Sequence, residues 1–393
     1  MKRVYLDHNA TTPLDPRVFE AMKPYLLETF ANASSPHHYG RLAKQALEES
    51  RGIIAKFIGA KPEEIVFTSG GTESDNLALR GVAYHKGRRR GHIITSSIEH
   101  HAVLRTCSAL EKDGFTVNYL PVDDQGRIDP DEVRRSIKKD TILISLMLAN
   151  NETGVIEPVA EVGKIAREYG ILFHCDAVQA VGKIVVNMKD LCTDLLSISS
   201  HKIYGPKGIG ALFVKDGIEL SPLITGGHHE KGLRAGTENV AAIVGFAYAL
   251  KIAVDEIDSY RIKVSYLRDK LESQLLNKID QVEIQSAKAE RLSHTSCIGF
   301  ASVEAESILL HLDLKGIAAS SGSACTTGEP EPSSHVLVAM GVPPERAKGS
   351  IRISLGRENT EEEIDYTIDV LEDTIRQLRI ISSQWETVEE KAL

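Results

Sequence analysis

The chain has 393 residues, 42% hydrophobic and 26% charged, a globular composition long enough to bury a sizeable core without disulfides or a structural metal. Its 46 basic and 55 acidic side chains leave a formal net charge of −9, which argues against a dedicated nucleic-acid binder. Nowhere do about 18 apolar residues run together, so no membrane span is expected.

In chain order, a helical pattern over Leu42 to Phe57 repeats apolar residues at Ala46, Leu47, Ile53, Ile54 and Phe57. Short runs at Ile65 to Phe67, His92 to Thr95, Thr141 to Leu148, Ile171 to Cys175, Asp194 to Ser199 and Gly210 to Val214 read as strands. Between them, Asp129 followed by Pro130 predicts a capped helix over Asp131 to Ile137, and Val159, Val162, Ile165 and Ala166 mark another after Pro158. Alternation of this kind implies a mostly parallel sheet flanked by helices. After Asn239 the rhythm changes. A long helical stretch runs from Val240 to about Leu276 with a bend near Asp258-Ser259. A strand follows at Thr295 to Val303, then helix Ala305 to Leu314, a Ser/Gly loop at about 320–334, helix His335 to Met340, strand Ser350 to Leu355 and helix Thr360 to Ile381. The expected division is a large α/β domain over 16–257, with 1–15 and 258–393 forming a smaller α+β domain.

In open α/β sheets, ligands sit beyond the carboxyl ends of the strands. The residues that follow the strands here are Thr68-Ser69-Gly70-Gly71-Thr72, then Glu99-His100-His101, Asn150-Asn151-Glu152, Asp176 with Gln179, and Ser199-Ser200-His201-Lys202. Singly, each has an ordinary reading as a turn, a cap or a solvated charge. Together they place a lysine, a carboxylate, an imidazole, amides and a glycine-led helix start at one sheet edge. A helix start of that kind suits a phosphate. The lysine can bond a cofactor aldehyde, the carboxylate can keep a pyridine nitrogen protonated, and the imidazole can stack on a ring. Pyridoxal phosphate asks for this set.

The segments YLDHNATTPLDP, FTSGGTESDN, IEHHAV, NNETG, HCDAVQAVGK, SISSHKIYGPKGIG, RAGTEN, SSGSACTTGEPEPSSHVL and SIRISLGR occur in collinear order from Tyr5 to beyond Arg357. This set resembles the pyridoxal-phosphate cysteine desulfurases of the NifS/IscS type. The resemblance implies a fold type I PLP-dependent transferase, with Lys202 carrying the cofactor, Asp176 at its ring nitrogen and His100 stacked on its face. It implies Gly71, Thr72, Ser199 and His201 around the phosphate, with Thr237 reaching it from the other subunit of a homodimer. It further implies Gln179 and Asn151 at the ring hydroxyl or the substrate side, Arg352 on the substrate carboxylate with help from Asn32, and no metal. The implied partners are L-cysteine and an iron–sulfur scaffold protein or other sulfur acceptor. Departures from the family pattern fall at Ala33, at Gly227-His228-His229 and at Ser333-Ser334.

Of five cysteines, Cys107, Cys175, Cys192 and Cys297 lie in apolar surroundings and read as packing thiols, and none forms a C-x-x-C pair. That usage, and an opening stretch without a signal or transit pattern, favour the cytoplasm. Cys325 lies among Ser, Gly, Thr and Pro residues, so an exposed loop is expected, and the resemblance makes it the nucleophile that takes sulfur as a persulfide. The rival readings are a selenocysteine lyase, an aminotransferase of the same fold, in which Cys325 would be dispensable, and a scaffold without turnover.

Overall fold

Strand composition sets the architecture. The computed structural model describes residues 3–322 and 334–381; Cys325 and most of its expected loop lie outside them. Twelve strands are found among the described residues: β1 Val4–Tyr5, β2 Ile65–Thr68, β3 His92–Ser96, β4 Thr116–Leu120, β5 Thr141–Met147, β6 Leu172–Asp176, β7 Leu195–Ser199, β8 Gly210–Val214, β9 Val282–Ile284, β10 Thr295–Phe300, β11 Ile317–Ala318 and β12 Ser350–Ser354. Seven form one sheet in the order β2-β8-β7-β6-β5-β3-β4, parallel except for β8, which runs against both neighbours.

Successive side chains point to opposite faces of a strand, and both faces here are apolar. Ile94, Ile144, Leu196 and Ile198 pack into one core with Ile54 and Phe246 of helices His38–Ile58 and Val240–Asp255. Their neighbours Ile93, Leu143 and Leu195 pack into another with Leu77 and Val103 of helices Gly71–Ala83 and His101–Lys112. This is why the central strands read as unbroken hydrophobic runs. The sequence reading passed over β4. It is an edge strand with only Leu120 buried, and its Thr, Asn and Tyr leave no apolar run to detect.

A third core is built from both ends of the chain. Val4 and Leu6 join Leu267, Leu271, Ile298, Phe300, Ile308, Ile353, Ile368 and Leu371 around the antiparallel sheet β12-β10-β9. The long helical stretch breaks at Glu256, two residues before the expected bend, between Val240–Asp255 and Ile257–Lys278. The reason is tertiary: the Glu256 carboxylate is held by Arg17 (2.5 Å) and Arg357 (3.3 Å). Asp129 caps its helix through a bond from the Asp131 N–H, with Pro130 in the first turn, as the sequence suggested.

One buried ion pair pins the sheet's β2 edge. Arg51 forks onto Glu230 with two bonds of 2.8 Å, and Glu230 also accepts from the Phe67 N–H. Removing one member of such a pair strands the other charge in the interior. Glu230→Ala should therefore lower unfolding stability by about 3–5 kcal/mol. Chemical denaturation would measure this, and a loss within about 0.5 kcal/mol, as for an ordinary surface substitution, would contradict it.

Candidate active site

The carboxyl ends of β2, β3, β5, β6 and β7 share one edge of the large sheet, so the residues after them converge. Gly71, Thr72, His100, Asn151, Asp176, Gln179, His201, Lys202 and Arg352 line one cavity of about 290 Å³. Asn9, Ala10 and Asp75 complete much of its wall.

Lys202 lies in a short turn, Ser200–Lys202, directly after β7. Its amine donates to the carbonyls of Asn9 and of Ala10, the latter at 2.9 Å. The segment carrying those carbonyls is itself fixed to the turn. Thr12 donates to the His201 carbonyl through its hydroxyl (2.9 Å) and its backbone N–H (3.0 Å), and the Thr11 hydroxyl meets His201 Nδ1 at 3.1 Å.

Asp176 ends β6 fully inside the protein. Its Oδ1 accepts from the Val178 N–H at 2.9 Å. Burial raises its carboxyl to about 6, although the Val178 N–H and the charge of Lys202 pull it down. Asp75 lies one helical turn beyond Thr72. Burial, then the nearby Asp176, holds its carboxyl well above the usual range, so it is the member of this pair that keeps a proton.

His100 caps helix His101–Lys112 by accepting the Ala102 N–H on Nδ1 at 3.1 Å, which leaves its proton on Nε2. Burial, followed by the charges of Lys202, His101 and His335, lowers it to about 4. It is therefore neutral at physiological pH, with an Nε2–H to donate and its one basic nitrogen already holding the Ala102 N–H.

The glycine-led helix start is shaped for close approach. Gly70 has φ +153° and ψ −174°, a conformation that glycine alone adopts readily. A Cβ at Gly71 would lie 2.7 Å from Val178. Next to this turn, Ser199 Oγ is buried and has no hydrogen-bond partner among the described residues. An unpartnered hydroxyl beside free N–H groups at the start of a 13-residue helix fits the phosphate of a cofactor.

Arg352 is buried, and its fork is in use: Nη1 donates to the Asn151 carbonyl (2.9 Å) and Nη2 to Asp7 (2.8 Å), while Nε has no partner among the described residues. A bidentate grip on a ligand carboxylate, as expected from the sequence, would require Asp7 to give way. Gln179 donates to the Asn9 carbonyl (2.9 Å) and accepts from Lys183 (3.0 Å).

Three expected residues do not line this cavity: Asn32, Ser199, which stands beside the Gly70 turn, and Thr237, which was expected there only from a second subunit. Asn32 is exposed, and its Oδ1 closes a turn onto the Ser34 N–H at 2.8 Å. Thr237 lines a separate space of about 160 Å³ beside Phe67, Thr68 and Arg234. Asn9 and Asp75 were not singled out from the sequence. Asp75 could have been, because it follows Thr72 by three residues on the same helical face. Cys107, Cys175, Cys192 and Cys297 are all buried. Burial raises Cys107 and Cys297 to about 12 and Cys175 well above the ordinary thiol. None of the four is suited to nucleophilic work.

The buried histidines give the fold a pH dependence. His8, His100 and His201 are lowered to about 4 and His174 to about 3, in each case chiefly by burial. His92 and His294 are lowered as well. Each takes up its proton on unfolding, so its contribution is present above about 6.5 and is lost as pH falls toward the folded value. Asp176 and Glu157, raised to about 6 and about 8, together with Asp75 and Glu99, act in the opposite sense. The two sets oppose each other, so the histidine share is read by removing one: in His174→Gln the thermal midpoint should fall less between pH 7 and pH 5 than it does in wild type, and an unchanged pH response would contradict the assignment.

Residues 4–367 match the family described as Aminotransferase class-V. A protein of Dictyoglomus turgidum described as cysteine desulfurase IscS is 54% identical over 383 residues, covering 97% of each chain. Among solved structures, one described as a NifS-like protein is 41% identical with a TM-score of 0.89, covering 95% of this chain and all of that one. Another, described as SspA in complex with cysteine, is 38% identical with a TM-score of 0.80, covering 90% of this chain and 98% of that one.

Proposed function

Since the chain belongs to the class-V aminotransferase family, and within it to the cysteine desulfurases, we propose that its cavity converts L-cysteine to L-alanine and passes the sulfur to Cys325. The activity is that of a pyridoxal-phosphate-dependent cysteine desulfurase. The observation that carries the assignment of residues is the convergence of Lys202, Asp176, His100, Arg352 and the Gly71-Thr72 helix start on one cavity.

Pyridoxal 5′-phosphate, bound there, supplies an electron sink for carbanion chemistry at the substrate α-carbon. The Lys202 amine anchors the cofactor and, once released, moves the α-proton, with the Asn9 and Ala10 carbonyls orienting it. Asp176 provides the negative charge that keeps a ring nitrogen protonated, while Asp75 stays neutral beside it. His100 would stack on the ring and donate its Nε2 proton. Ser199, His201, Thr72 and the N–H groups at Gly71 hold the phosphate, joined by Thr237 of a second copy in a homodimer. Gln179, its Oε1 occupied by Lys183 and one N–H by the Asn9 carbonyl, keeps a second N–H for the ring or the substrate. Arg352 takes the substrate carboxylate in exchange for Asp7, with Asn151 beside it.

Cys325 lies three residues beyond Gly322. A Cβ on Gly322 would lie 1.9 Å from Glu152 Oε2 and 2.9 Å from the Ser334 Cβ, and the Ser334 hydroxyl donates to Glu152. Both residues flanking the stretch 323–333 are thus anchored beside Glu152, the neighbour of Asn151. Three residues of chain span roughly 10 Å. As thiolate, Cys325 attacks the substrate sulfur. An S–S bond forms, the substrate C–S bond breaks, and the carbon side takes a proton to leave as alanine. The persulfide then passes to an acceptor, an iron–sulfur scaffold protein, in the cytoplasm.

Mass spectrometry after exposure to L-cysteine tests this reading. Wild type should gain one sulfur atom at Cys325, and Cys325→Ser should gain none while still binding the cofactor. Sulfur transfer retained by Cys325→Ser would refute the nucleophile.

A further inference from the structure

Lys202 borders a second cavity, larger than the first. It measures about 360 Å³, within the roughly 300–1,000 Å³ of small-molecule sites, and Lys202 is the one described residue that lines both. Its basic side chains are Arg17, Lys183, Lys202, Lys263 and Arg357, against the carboxylates of Glu256 and Glu358. Arg17 and Arg357 are already balanced: both pair with Asp15 (2.8 and 2.7 Å) and with Glu256.

Two ammonium groups are not balanced. Lys183, 5% exposed, donates to the neutral amide oxygen of Gln179, and no carboxylate among the described residues lies within ion-pair distance of it. Lys263, exposed to solvent, donates to the Arg357 carbonyl at 2.5 Å, so the cost of burial falls on Lys183. Each ammonium carries three donors, so both have N–H groups to spare. A buried ammonium without a counter-charge is costly. Burial, then the charges of Lys202 and Arg352, pushes Lys183 well below the ordinary lysine value. An anion in the cavity would relieve that cost. The phenol rings of Tyr204 and Tyr260, with Ile203 and Ala253, supply the apolar part of the wall.

We propose that this cavity binds a small oxyanion between Lys183 and Lys263, as a site separate from the one that performs the reaction. The anion becomes the counter-charge that the fold does not provide, and its source is either a small carboxylate or a phosphate.

Calorimetric titration of the cofactor-loaded enzyme at constant ionic strength tests the site, with malonate and inorganic phosphate as separate probes. At least one should give saturable heat, and the responding anion identifies the source. Its affinity should drop by about tenfold or more in Lys183→Met, the loss expected from one charge-assisted hydrogen bond. Ser259→Glu is a second variant that does not disturb the interior. Ser259 is exposed on the cavity wall, and its hydroxyl bonds only the Glu256 carbonyl; a carboxylate there should weaken binding by a similar factor. No saturable heat with either probe would overturn the proposal. So would affinity unchanged in Ser259→Glu but reduced in Arg352→Lys, which would place the anion on the substrate arginine. Binding is read directly, so the outcome does not depend on whether sulfur reaches Cys325.

Discussion

Lys202→Ala should lower cysteine turnover by at least about ten-thousandfold, since both the covalent anchor and the proton-transfer group are lost together. No second amine can take its place. Lys183 does not line the reaction cavity, and its amine bonds the Gln179 amide oxygen. The variant should also lack the visible absorbance that a lysine-linked cofactor gives the wild type. Absorption spectra and alanine release, measured on the same preparation, check both. Turnover within tenfold of wild type would remove Lys202 from the chemistry.

Asp176→Asn should leave the pocket's shape intact and lower kcat by about a hundredfold to a thousandfold, the range for losing one preorganised electrostatic contact. The amide oxygen can still accept from the Val178 N–H as Oδ1 does now, so the change removes charge and little else. Asp75 cannot compensate, because its burial keeps it protonated. Cofactor affinity and kcat measured in parallel separate the two effects. A variant that loses cofactor affinity but keeps kcat when saturated would show that Asp176 only helps to hold the ring. Asp75→Asn, which swaps one neutral group for another, should have far less effect on kcat.

Most of the large sheet could be read in advance because its strands are buried on both faces and therefore appear as apolar runs. β4 could not, since it borders the sheet and is half wet. The edge residues Asp176, Lys202 and His100 were legible through one rule, that ligands gather beyond the strands' carboxyl ends. Asn9 was not, because nothing in a short polar segment near the start of the chain reveals that it folds against strands placed hundreds of residues later. Asn32 was expected at the substrate and instead closes its own turn, a local bond that Asn side chains form readily. The occupied fork of Arg352 was equally invisible, since the partner, Asp7, is 345 residues away.

Asn9 also bears on the order in which the protein is made. Its backbone N–H donates to the Ser354 hydroxyl, its side chain bonds Thr295 and His294, and its carbonyl receives the Lys202 amine. A chain emerging from the ribosome presents Asn9 first and Ser354 almost last. The wall behind the reactive amine therefore stays open through most of synthesis, even though the central sheet can form earlier. Coenzyme loading becomes a late event, coupled to the closing of the chain's two ends, and a ribosome stalled before the final strand would leave a folded sheet that cannot retain its coenzyme.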